Sequence, residues 1–127
     1  MKMVSKILLL LVEDEEAIAQ MYSDRFKLAG FDVDVAHEGE EAVSKMISGH
    51  PNIVLMDILM PGLSGTEAVE RAKANPATRG IPIVMLTNYP ESVDLKNALK
   101  LGAADYIIKS ESDPGQVVEK IQRILKK

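Results

Sequence analysis

Four apolar residues, Ile53-Val54-Leu55-Met56, run without a break into Asp57 and are followed by Ile58, Leu59, Met60, Pro61 and Gly62. A short unbroken apolar run reads as a strand covered on both faces, as in the middle of a parallel sheet. An ionised carboxylate is costly inside such layers, so Asp57 is expected at the strand's carboxyl end, where an open sheet leaves a crevice. Taken alone, Asp57 reads equally well as a turn former before Pro61. What decides between the two is whether other strands bring matching chemistry to the same edge. Glu13 and Asp14 follow the run Ile7 to Val12, Thr87 follows Ile81 to Leu86, and Lys109 follows Tyr106-Ile107-Ile108. Because parallel strands all point one way, these side chains must converge. Carboxylate oxygens suit magnesium, which keeps several waters and takes few protein ligands. An ammonium and a hydroxyl offer charge and a hydrogen bond to phosphoryl oxygens. Three carboxylates in one pocket repel one another, and either the cation or Lys109 must offset that. Only one of them needs to react. Asp57, on the central strand, is the natural nucleophile for an acyl phosphate, with Glu13 and Asp14 holding the metal. Singly, each residue has a simpler explanation: helix-start electrostatics for the acids, a solvated strand end for Lys109, a turn hydroxyl for Thr87. Their coincidence on one edge is what those explanations leave out.

The elements that must position these residues alternate five times between a short apolar run and a stretch with helical spacing, the pattern of a parallel sheet flanked by helices. After the first strand, Ile18, Met21, Tyr22 and Phe26 recur at helical intervals over roughly Glu15 to Ala29, and Gly30 is a left-handed stop. Phe31, Val33 and Val35 alternate with Asp32 and Asp34, which predicts a strand covered on one face at the sheet's edge. Ala42, Val43, Met46 and Ile47 form the stripe of a second helix ending near Gly49. Ser64 and Glu67 make a capping box for a third helix that carries Ala68, Val69 and Ala72 inward and is closed by Pro76. Ile81 to Leu86 is the fourth strand, and Leu95, Ala98 and Leu99 line the helix after it, before Gly102. Asp113, Pro114 and Gln116 start a last helix with Val117, Val118, Ile121, Ile124 and Leu125 inward.

Composition sets the outer bounds. At 127 residues and 46% hydrophobic, the chain has length for one domain, residues 1–127, with a proper core. It has no cysteine, which excludes a disulfide framework or a thiolate metal site and fits a reducing, cytoplasmic location. A net charge of −4 argues against direct binding to nucleic acid or to an anionic membrane. The basic cluster Lys120, Arg123, Lys126 and Lys127 reads as a solvated helix face. Met1-Lys2 and the apolar run after them superficially suggest a signal peptide, but the run is short and Glu13-Asp14-Glu15-Glu16 follows at once, so it reads as a buried first strand.

With these motifs in order, the chain resembles the receiver domains of bacterial two-component response regulators over essentially its whole length. The acidic pair stands as Val12-Glu13-Asp14, the D-x-x-M-P-x-x-x-G block as Asp57 to Gly65, the switch hydroxyl as Thr87, and the G-A-x-x-[YF]-x-x-K block as Gly102 to Lys109. The resemblance implies a flavodoxin-like (βα)5 doubly wound fold, with a five-stranded parallel sheet of order 2-1-3-4-5. It implies phosphoryl transfer from a sensor histidine kinase or phosphotransfer protein to Asp57. The expected magnesium ligands are Asp14, Asp57, the backbone carbonyl of Leu59 and, through water, Glu13. Phosphorylation should draw Thr87 and Lys109 toward Asp57 and let Tyr106 swing inward, altering the face formed by helix four, strand five and helix five. With no output domain on the chain, the signal is expected to leave through that face to another protein, from a monomer or a phosphorylation-dependent dimer.

Two departures stand out. Similar domains usually carry proline after the lysine, commonly joined by a cis bond, where this chain has Ser110; a cis bond before a non-proline residue costs about 3 kcal/mol, so the loop is expected to take a different path. The two positions flanking the reacting group hold Leu59 and Tyr89, which shield water rather than orient it and predict slow self-dephosphorylation. Three other readings compete. A magnesium-dependent phosphohydrolase would need a second aspartate where Leu59 stands. A phosphorylation-independent interaction module would have lost the switch residues, all of which are present. Flavodoxin-like cofactor binding lacks its glycine-rich loop after the first strand, and Glu13-Asp14 there would repel a phosphate. His37 and His50 lack metal-ligand spacing and read as solvated loop residues.

Overall fold

The computed structural model describes residues 6–60 and 62–126; the charged start Met1-Lys2, Pro61 and Lys127 lie outside that description. The elements run β1 (Leu8–Val12), α1 (Glu16–Leu28), β2 (Asp32–Ala36), α2 (Gly39–Gly49), β3 (Ile53–Asp57), α3 (Gly65–Ala74), β4 (Ile83–Thr87), α4 (Val93–Lys100), β5 (Asp105–Ile108) and α5 (Pro114–Leu125). A single 3-10 turn, Lys109–Glu111, joins the last two. The strands pair in parallel in the order β2-β1-β3-β4-β5, the order expected. No helix among the described residues is long and apolar enough to cross a membrane.

Strand side chains alternate between two apolar layers, as the period of two requires. Leu10, Val12, Val54, Met56, Ile83 and Met85 pack against Ala42 and Met46 of α2, Ala68, Val69 and Ala72 of α3, and Leu95 and Ala98 of α4. Leu9, Leu11, Ile53, Leu55, Val84, Leu86 and Ile107 pack against Tyr22 and Phe26 of α1 and Val117, Val118 and Ile121 of α5. Covered on both sides, every residue of β3 and β4 is buried, whereas β2 at the edge is mostly half-buried.

Local chemistry ends and starts the helices as the residues dictate. Ser64 accepts from the Glu67 N–H while the Glu67 carboxylate accepts from the Ser64 N–H, and Asp113 and Gln116 form the same reciprocal pair with Pro114 at the first helical position. Gly30 at φ 96° stops α1. Two expectations need correction. Met21, Ile47 and Leu99, read as inward, are 45%, 43% and 37% exposed. Each sits beside the residue that does face in, and consecutive helical residues point about 100° apart, which puts these three on the flank. The second helix ends at Gly49 as expected, and the left-handed residue after it is His50 at φ 46°, held between the helix end and Pro51, which bars it from continuing the helix. β4 begins at Ile83 rather than Ile81, because the Ile81 N–H bonds to the Thr78 carbonyl, the Ile81 carbonyl accepts from Lys73 Nζ at 2.8 Å, and Pro82 has no N–H to give. Ile124 and Leu125 face inward as expected and pack, half-buried, against the α1–α5 layer.

Candidate phosphoryl-transfer site

Register brings the site together. Val12 pairs with Met56, Asp57 with Leu86, and Thr87 with Ile108, so the carboxyl ends of β1, β3, β4 and β5 finish within about a residue of one another. The next side chains along therefore meet on one edge. Lys109 Nζ donates to Asp57 Oδ2 at 2.8 Å and to Glu13 Oε2 at 3.2 Å. Asp57 Oδ1 accepts from the Leu59 N–H at 3.3 Å, and Glu13 Oε1 from the Glu15 N–H at 3.3 Å. Carboxylate oxygens of Glu13, Asp14 and Asp57 all lie within 4.8 Å of one another.

Burial divides these acids. Glu13 is 1% and Asp57 8% exposed, while Asp14 faces solvent at the crevice mouth. Burial, with the charge of Asp57 next, raises the Glu13 carboxyl from 4.5 to about 7 against the opposing pull of Lys109. Burial by itself would lower the Lys109 ammonium, but its bond to Asp57 and the charges of Asp57 and Glu13 outweigh that and raise it. Three hard oxygen donors around one point, one of them open to solvent, fit a magnesium ion that keeps part of its water.

Thr87 is 2% exposed at the end of β4, and its Oγ1 accepts from the Tyr89 N–H at 2.9 Å rather than bonding Asp57. Leu59 and Tyr89 flank the crevice at 56% and 62% exposed. Tyr106 is half-buried, packs against the core on the α2–α4 side, and has Lys120 Nζ 5.6 Å from its ring centre. His37, exposed as expected, still touches the site's margin through Nδ1, 3.2 Å from the Glu13 carbonyl oxygen.

Two parts of the site were hidden in the sequence. Tyr22 reads as one more member of the α1 stripe, yet its buried phenol is raised by burial and feels the charges of Lys109, Glu13 and Asp57. A polar tip on an otherwise apolar stripe is the signal that could have marked it. Ser110 follows Lys109 through a trans bond, and its N–H donates to Asn88 Oδ1 at 3.0 Å, a contact between loops that no local pattern announces.

Comparison with known proteins agrees with this geometry. The chain is 33% identical over 116 residues to the phosphate regulon transcriptional regulatory protein PhoB of Rhizobium meliloti, an overlap covering 91% of this chain and 51% of that one. It spans about half the length of the curated relatives it matches. A chemotaxis protein of Vibrio cholerae superposes with a TM-score of 0.87 at 27% identity, over 94% of this chain and 99% of that one. The receiver domain of a sensor histidine kinase from Pseudomonas aeruginosa, solved with a magnesium ion in its active site cleft, superposes with a TM-score of 0.82 at 28% identity, over 96% of each chain. The model of the response regulator receiver domain matches residues 9–122, and the chain belongs to that family.

Proposed function

We propose that residues 1–127 work as one receiver domain, in which Asp57 accepts a phosphoryl group from a phosphohistidine of a sensor kinase or phosphotransfer protein. The observation that carries this reading is Lys109 Nζ bridging Asp57 and Glu13, with Asp14 completing an acidic cluster beside them. Asp57 Oδ attacks phosphorus as the donor's P–N bond breaks, and the imidazole nitrogen leaves with the bonding pair, so no proton need pass through Asp57. Magnesium would be held by Asp14, Asp57, the Leu59 carbonyl and, through water, Glu13. When bound, it would supply charge neutralisation on the transferring oxygens. Lys109 then neutralises one phosphoryl oxygen and the Thr87 hydroxyl donates to another. The Thr87 hydroxyl donates there while its oxygen still accepts from the Tyr89 N–H, so as Thr87 is drawn toward the phosphoryl group the β4–α4 loop is drawn with it. Tyr106 follows into the space vacated, and the change is read on the α4–β5–α5 face by a downstream protein. The only catalysis expected is of the domain's own phosphorylation and dephosphorylation, in the cytoplasm.

The test is mass spectrometry after incubation with acetyl phosphate and magnesium. Wild type should gain one phosphoryl group and Asp57→Asn none; equal uptake by the two would overturn the assignment.

A further inference from the structure

We propose that Asn88 is a positioning residue for Lys109, clamping the turn that carries the lysine. Lys109–Glu111 is one 3-10 turn immediately after β5. The first N–H groups of a helical turn find no partner within it. That of Ser110 is satisfied from a different loop, by Asn88 Oδ1 at 3.0 Å across 22 residues of sequence. Proline has no N–H, so this bond exists only because residue 110 is not the proline that similar domains usually carry.

The bond joins the residue after Thr87 to the residue after Lys109, the two side chains assigned to the phosphoryl oxygens. The Asn88 end is itself braced: the Tyr89 N–H bonds Thr87 Oγ1 at 2.9 Å, the Ser92 N–H bonds the Tyr89 carbonyl at 3.1 Å, and Ser92 Oγ accepts from the Leu95 N–H at the start of α4. On the other side, the Ser112 N–H closes the turn onto the Lys109 carbonyl. A lysine ammonium on a four-carbon stem loses much rotamer freedom when it holds two carboxylates, and a fixed backbone at the next residue lessens how far it can stray. Asn88 therefore sets where Lys109 starts and makes the β4–α4 and β5–α5 loops shift together. This inference rests on Lys109 serving the phosphoryl group.

Backbone amide exchange by NMR on the full chain tests it, with wild type, Asn88→Ala and Asn88→Asp. Asn88 is exposed, so the alanine variant should fold. In Asn88→Ala the Ser110 amide should exchange about fivefold faster, the factor one neutral hydrogen bond carries, while β4 amides keep their protection. Asn88→Asp, which retains the acceptor oxygen, should return Ser110 to the slow rate. Phosphate uptake by Asn88→Ala from acetyl phosphate should slow by about the same factor. Unchanged Ser110 exchange in Asn88→Ala would overturn the clamp, and so would faster exchange with uptake at the wild-type rate. The exchange measurement uses no phosphodonor, so failure of the clamp is distinct from failure of the Asp57 assignment, which Asp57→Asn reports.

Discussion

Lys109 and Glu13 govern the crevice at the scale of single residues. The Glu13 carboxyl, raised to about 7 chiefly by burial and then by the charge of Asp57, binds its proton more tightly in the folded chain than in the unfolded one. The stability contributed by that proton is complete below the unfolded value of 4.5 and is lost as pH rises through about 7. In cation-free buffer the urea midpoint should fall between about pH 5 and about pH 8, and Glu13→Gln should flatten that fall. A slope unchanged by the substitution would assign it to other groups. Leu59 bears on the lifetime of the phosphorylated form. An apolar side chain 56% exposed beside Asp57 cannot hold an attacking water. Leu59→Asn should shorten that lifetime severalfold, read as phosphate release over time; an equal or longer lifetime would show that Leu59 is not the shield.

At the scale of elements, the crevice depends on how closely α3 approaches the end of β3. A Cβ on Gly65 would stand 2.9 Å from the Asp57 carbonyl oxygen and 2.9 Å from the Ile58 Cα, both backbone atoms that cannot swing aside. Gly65→Ala should therefore cost about 1–3 kcal/mol in urea unfolding as α3 retreats. Gly80→Ala is the control, since a Cβ there meets nothing within 4 Å and should cost far less. A small loss for Gly65→Ala would mean that the β3–α3 loop yields without strain. Periodicity made the element types legible, because burying one stripe imposes its spacing on the residues themselves. Both capping boxes were legible too, being local reciprocal bonds between residues three apart. The flanking positions of Met21, Ile47 and Leu99 were not, since how far a stripe extends depends on how closely the neighbouring element packs.

Over the whole molecule, a cation held by the acidic cluster would couple its binding to folding. A ligand that binds only the folded state stabilises it by about 2.7 kcal/mol at a hundred times its dissociation constant. Magnesium should accordingly raise the thermal midpoint of wild type, and raise it more near pH 8 than near pH 5, where Glu13 holds its proton. Asp14→Ala should lose most of that rise yet melt near wild type without the ion, because Asp14 is exposed. An equal rise in the variant would remove Asp14 from the ligand set. The order of apolar runs, the acid, hydroxyl and ammonium at their ends, and the direction of the strands were determined by the sequence alone, because each rests on burial patterns and chemistry within a few neighbouring residues. Only the tertiary structure decided that Glu13 lies buried while Asp14 opens to solvent, that Lys109 spans two carboxylates from across the sheet, and that Asn88 receives the Ser110 N–H. Those are contacts between segments 22 to 96 residues apart, and their geometry is set by strand register and layer packing, which no local spacing encodes.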